Sequence, residues 1–166
     1  MECLEEASKL FQVGVFTASH QSYADAVLDF IDPERTLFAF RLYRDQCLKT
    51  ADGYYVKDLR IFEGLSLHEV VLIDNSVYSF AHQIENGVPI IPFYQDRNDE
   101  ELLHLIKYME GVAASKDVRE YNREAFGLRR LAEEVANESS SEESDCENRE
   151  DKDDEYQING GSCNSE

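Results

Sequence analysis

The sequence predicts an α/β layered domain on a parallel sheet, with flanking helices, an inserted β-hairpin and an acidic disordered tail. Three observations lead there. Helical and extended patterns alternate along the first 130 or so residues. The strand candidates are continuous apolar runs, as in Val70 to Ile73, rather than alternating ones, which is how strands buried on both faces read. Asp52-Gly53 lies between two β-prone segments and suits a tight turn with positive backbone angles.

In chain order, Leu4 to Phe11 reads as the end of a helix and QVGVF as a short strand that runs into Thr17-Ala18-Ser19. Ser19 is the expected N-cap of a helix through QSYADAVLDFI, whose Ala24, Val27, Leu28 and Ile31 fall at the spacings of one buried face. Pro33 ends it. LFAFRLY, Leu37 to Tyr43, reads as a strand, and QCLKTADGYYVKDL as the hairpin, with Lys57 on its return limb. The buried strand Val70 to Ile73 delivers Asp74, Asn75 and Ser76, and Val88 to Tyr94 is a further strand with Pro92 at its edge or end. Asn98 with Glu101 forms a capping box in the broad sense, ahead of an apolar stripe of Leu102, Leu105, Ile106 and Met109. A second helix is expected from about Asp117 to Val135. The division is therefore a domain over 1–131 and a Ser-rich acidic tail over 132–166, too poor in apolar residues to order itself.

The formal charge of −19 excludes several classes of partner. From Leu131 to the end there are 13 acidic and 2 basic residues, and the remaining body still carries a net −8. General affinity for nucleic-acid backbones or anionic membranes would need the opposite sign, although a local basic pocket remains compatible. No apolar run approaches a membrane span, and MECLEEASKLF has no apolar core of a signal peptide. Cys3, Cys47, Cys146 and Cys163 form no CxxC pair and read as reduced thiols of a nuclear or cytoplasmic protein.

Ligands of parallel sheets bind beyond the carboxyl ends of the strands, where both Thr17-Ala18-Ser19 and Asp74-Asn75-Ser76 fall. Taken singly, each is a turn or a cap, and Lys57 is a strand lysine. Together they describe a phosphate site. Thr17 offers a hydroxyl and the amides that follow it, and Lys57 a balancing positive charge. Asp74 and Asn75 supply hard oxygens suited to Mg²⁺.

FTASHQSYADAVLD, RLYRDQC, YYVKDL, VVLIDNS and NGVPI, in this order and spacing, resemble the FCP/SCP-type, NLI-interacting-factor-like phosphatases of the haloacid dehalogenase superfamily. The similarity runs from about Leu4 to Leu131 and is nearest to the CTD-small-phosphatase-like branch. It implies a Mg²⁺-dependent phosphatase of phosphoserine and phosphothreonine in proteins, the RNA polymerase II tail among the possible substrates. On the matching positions, Thr17 would bind phosphate and Lys57 would steady a phospho-aspartyl centre. Asn75 would ligate the metal with Asp74 in support, and Tyr23 and Arg44 would line the substrate groove.

The same resemblance implies a nucleophile in an Asp-x-Asp-x-(Thr/Val) motif on a strand upstream of FTAS. The 166 residues hold Asp-x-Asp spacings only in the acidic tail, as at Asp151-Lys152-Asp153. The expectation is therefore an incomplete haloacid-dehalogenase-like sheet, unstable by itself, and a polypeptide that does not turn over alone. The alternative is a non-catalytic pseudophosphatase that binds phosphoproteins or another partner. A third relation, to a mitochondrial inner-membrane import receptor with a degenerate phosphatase domain, ranks below both, because its span and presequence are not in these residues. In the tail, Ser139, Ser140, Ser141 and Ser144 stand among acidic residues, a context for acidophilic kinases.

Overall fold

The computed structural model describes residues 2–134. The expected α/β order is present. Helix α1 (Glu2–Leu10) leads to strand β1 (Val15–Phe16), helix α2 (Gln21–Ile31), strand β2 (Arg41–Leu42) and the hairpin strands β3 (Leu48–Lys49) and β4 (Tyr55–Val56). Strands β5 (Leu72–Asp74) and β6 (Gly87–Pro89) follow, joined by an irregular run of 3₁₀ turns over Val77–Asn86, and then helices α3 (Glu101–Ala114) and α4 (Val118–Phe126). The parallel pairing is split in two. β1 pairs with β2 in the register Val15 to Arg41, and β5 with β6 in the register Leu72 to Gly87. Each forms its own two-stranded sheet. The hairpin is antiparallel, Leu48 opposite Val56, and Gly53 at its tip takes φ 89°, as the Asp-Gly turn requires.

Several local expectations are corrected. Ser19 is not the cap of α2. Thr17 Oγ1 accepts the Ser19 N–H at 3.1 Å, the resulting turn moves the helix start on by one, and His20 becomes the N-cap without a side-chain bond. Of the four residues expected on the buried face of α2, Ala24 and Leu28 are buried but Val27 is 43% exposed, so the covered stripe is narrower than the spacing allows. LFAFRLY yields only the two strand residues Arg41 and Leu42. Asn98 does not cap α3: Asp96 takes the Asn98 N–H and Asp99 takes the Glu101 N–H, each at 2.9 Å, and these two successive turns delay the helix to Glu101. The second helix breaks at Gly127, which adopts φ 58°, and helical backbone resumes at 128–134. The four tail serines, Asp151, Cys146 and Cys163 lie outside the described residues.

Two buried polar groups fix the frame around the strands. Asp32, 4% exposed, accepts the N–H groups of Thr36, Leu37 and Phe38. Burial alone would raise its pKa, but these three donors outweigh it and hold the carboxyl below the ordinary value. Arg41 on β2 reaches back to α2, bonding Asp29 at 2.6 Å and Asp25 at 3.4 Å, and the Tyr43 hydroxyl donates to Asp25 at 2.6 Å. Phe80, fully buried, lies over Gly87 so closely that a Cβ there would sit 2.1 Å from the ring. The glycine in the NGVP segment is thus required by the packing of β6.

Candidate functional site

The YVKDL segment is anchored before it is functional. The Lys57 N–H donates to the Ser79 carbonyl at 2.8 Å, and the Leu59 N–H to Gln83 Oε1 at 3.0 Å. Between them, buried Asp58 accepts from Gln83 Nε2 at 3.0 Å and from the Arg60 side chain and N–H. The Arg60 guanidinium holds the Asp58 carboxyl far below the usual carboxylate range. This lattice pins the backbone on both sides of Lys57, so its direction is set by main-chain bonds. Its ammonium then closes on the Asp74 carboxylate at the end of β5. Both side chains are 10% exposed. The second Asp74 oxygen accepts the Ser76 N–H at 2.8 Å.

Thr17 ends β1, where its N–H pairs with the Leu42 carbonyl at 2.9 Å. The Thr17 hydroxyl accepts from Ser19, which leaves its own proton available to an outside acceptor. Arg44 closes the other side of this turn. Its Nε donates to the Ala18 carbonyl at 2.5 Å, its N–H to the Ser19 carbonyl at 3.0 Å, and its guanidinium lies 5.0 Å over the Tyr55 ring. Cys47 links the two halves: its thiol is 3.8 Å from the Thr17 carbonyl, and the positive charges of Lys57 and Arg44 both act on it. Burial nonetheless pushes the thiol above its ordinary pKa.

Of the residues expected from the sequence, the structure thus joins Lys57 to Asp74 directly, and Thr17 to Arg44 through the 17–19 turn. Asn75 follows Asp74 and is exposed. Tyr23 is 68% exposed on the first turn of α2 and contributes no hydrogen bond to the others. Among the described residues no three His, Cys, Asp or Glu side chains converge in a metal-binding group. Both Asp74 oxygens have protein partners, and the exposed Asn75 side chain beside them offers an amide oxygen of the kind a hard cation takes. The sequence did not point to Cys47, His20, Lys49 or the stack of Tyr54 on Tyr78, centroids 4.3 Å apart, beside the Asp74 loop.

Comparison with known proteins identifies the family. Residues 1–119 match the model of the NLI interacting factor-like phosphatases. The chain is 44% identical over 130 residues to "CTD small phosphatase-like protein 2" of Dictyostelium discoideum, covering 78% of this chain and 22% of that protein. It is 40% identical over 127 residues to "CTD small phosphatase-like protein 3" of Caenorhabditis elegans, covering 76% and 44%. With the human "CTD small phosphatase-like protein" identity is 40% over 117 residues, covering 70% and 41%. The chain spans less than half the length of each of these relatives. With the phosphatase motifs assembled on the strand ends and the family model covering 1–119, the chain belongs to the NLI interacting factor-like phosphatases.

Proposed function

We propose that this chain carries the phosphate-handling part of a protein serine/threonine phosphatase that works through an aspartyl phosphate. The observation that carries the reading is the Lys57 ammonium on Asp74 at the C-terminal end of β5, held by main-chain bonds to the 77–86 run. Thr17 donates its hydroxyl to a phosphate oxygen. Lys57 balances the charge that collects on the transferring group. Mg²⁺, when bound, supplies Lewis-acid neutralisation of the phosphate oxygens, with the Asn75 oxygen as its protein donor and Asp74 orienting the loop. Tyr23 and Arg44 contact the phosphopeptide on either side of the phosphorylated residue. The substrate class is a phosphoserine or phosphothreonine protein, and the RNA polymerase II tail is one member of it. The site of action is nuclear or cytoplasmic.

An aspartyl intermediate needs a carboxylate nucleophile, and no Asp-x-Asp-x-(Thr/Val) strand lies within the 166 residues. With no such strand among them, the 166 residues bind phosphopeptide without hydrolysing it. The test is a pair of assays on the same preparation: phosphate release from a phosphoserine peptide with Mg²⁺, and binding of that peptide by fluorescence anisotropy. Binding without release is expected, with binding lost in K57M. Phosphate release at a rate that K57M abolishes would overturn the assignment of the nucleophile. Binding equal to that of the unphosphorylated peptide would overturn the site itself.

A further inference from the structure

We propose that Arg44 and Lys49, which share the Tyr55 ring, together with His20 against Arg44, form a second anion subsite that selects phosphopeptides with an acidic or phosphorylated neighbour. The inference rests on the phosphate site described above and names the substrate chemistry that site prefers. The Arg44 guanidinium lies 5.0 Å over the Tyr55 ring, and the Lys49 ammonium 5.9 Å from its centroid. Arg44 Nη1 is 2.9 Å from His20 Nε2. In a chain of net charge −19, cations have many carboxylates to choose from. Arg35, Arg41, Arg60, Arg119 and Arg123 all take one. Arg44, Lys49 and His20 take none among the described residues, although they are drawn together. The Arg44 guanidinium donates to the Ala18 carbonyl and to His20 Nε2 and lies over an aromatic face, which leaves its other donors and the Lys49 ammonium free for a ligand anion.

Position ties the cluster to the phosphate centre. Lys49 lies opposite Tyr55 in the hairpin register. Tyr55 is two residues from Lys57, an advance of about 7 Å along an extended backbone. Arg44 donates to the Ala18 carbonyl and Cys47 places its thiol 3.8 Å from the Thr17 carbonyl, so the cluster adjoins the Thr17 turn. An extended peptide with its phosphate on Thr17 and Lys57 therefore presents its second or third neighbour to the cluster. A neutral neighbour gains nothing there. A carboxylate or a second phosphate meets the guanidinium donors that Ala18 and His20 leave free, with the Lys49 ammonium against the same Tyr55 ring.

The experiment measures anisotropy of the full 166-residue chain with four labelled peptides of one backbone. They are phosphoserine with neutral neighbours, phosphoserine with Glu at the second and third positions on both sides, doubly phosphorylated, and the Glu peptide without phosphate. The Glu and doubly phosphorylated peptides should bind about 10-fold tighter than the neutral phosphopeptide, and the advantage should shrink with added salt. The Glu arm tighter alone assigns a carboxylate as the ligand, and the double-phosphate arm tighter alone assigns a phosphate. K49E and H20A should remove the advantage and leave the neutral phosphopeptide unchanged. Equal affinity for all three phosphopeptides overturns the subsite and leaves the phosphate centre standing. Tight binding of the unphosphorylated Glu peptide overturns its coupling to that centre. Failure of the neutral phosphopeptide to outbind an unphosphorylated neutral control refutes the centre, and the subsite with it.

Discussion

Replacing Lys57 by Met keeps an unbranched side chain one atom shorter and removes its charge. In the structure this takes away a charge-assisted hydrogen bond and strands the Asp74 carboxylate with 10% exposure. Breaking a buried pair from one side costs about 3–5 kcal/mol, because the surviving charge stays desolvated. Asp74 keeps the Ser76 N–H at 2.8 Å, which softens the loss and sets the expected cost of K57M near the lower bound, about 3 kcal/mol. D74N leaves the ammonium a neutral amide oxygen and should cost about 2 kcal/mol. The double variant has no buried charge left to strand. Its cost should fall short of the sum of the two singles by about 2 kcal/mol, the coupling energy of the pair. Urea unfolding at 10 °C is the assay, and at a slope of about 2 kcal/mol/M a loss of 3 kcal/mol moves the midpoint by about 1.5 M. Costs that add to within about 0.5 kcal/mol would mean the two side chains do not share an energy term. The geometric basis of the phosphate centre would then be wrong.

Three further outcomes follow from the frame around it. G87A forces its Cβ to within 2.1 Å of the buried Phe80 ring and should destabilise by about 1–3 kcal/mol, read from the urea midpoint; no change would show that Phe80 is not fixed there. N86A removes two donors, to the Leu67 and Val70 carbonyls at 2.6 and 2.7 Å, and should cost about 2–4 kcal/mol and speed amide exchange in β5. Asp117 caps α4 and pairs with Arg119, which lowers its carboxyl to about 2. A lowered native pKa means its stabilisation is present above the unfolded value and is lost as pH falls through the native one. The melting temperatures of wild type and D117A should therefore differ at pH 6 and converge between about pH 4 and 2. A gap that stays constant across that range would assign the effect to something other than this charge.

How much of this could be read from the sequence depended on how local its cause was. The hairpin was legible because Asp52-Gly53 encodes its own turn, and Asp74 because a continuous apolar run has a definite end. The Lys57–Asp74 pair was legible through the order of the motifs that carry it. The caps were misplaced for a common reason: acceptors such as Thr17, Asp96 and Asp99 compete for the same amides within three residues, and spacing does not rank them. Val27 was misread because periodicity says which residues share a face, not how wide the covering layer is. Arg44 was singled out through its motif, but its grouping with His20 and Lys49, and the place of Cys47 beside Thr17, were not legible, since they come together only when β1, β2 and the hairpin are in place.

The buried amide of Asn122 has a consequence for where the folding unit ends. It donates to the carbonyls of Glu85 and Gly87 and accepts from the Tyr108 hydroxyl, while Arg123 pairs with Glu85. These bonds lie past residue 119, where the family match stops. A domain cut there would keep every motif residue and lose the plug that closes the entrance to β6. The first compact unit runs on to Gly127, past these bonds. Motif and foldon therefore part company by eight residues, and deletion mapping should find its cliff at the latter.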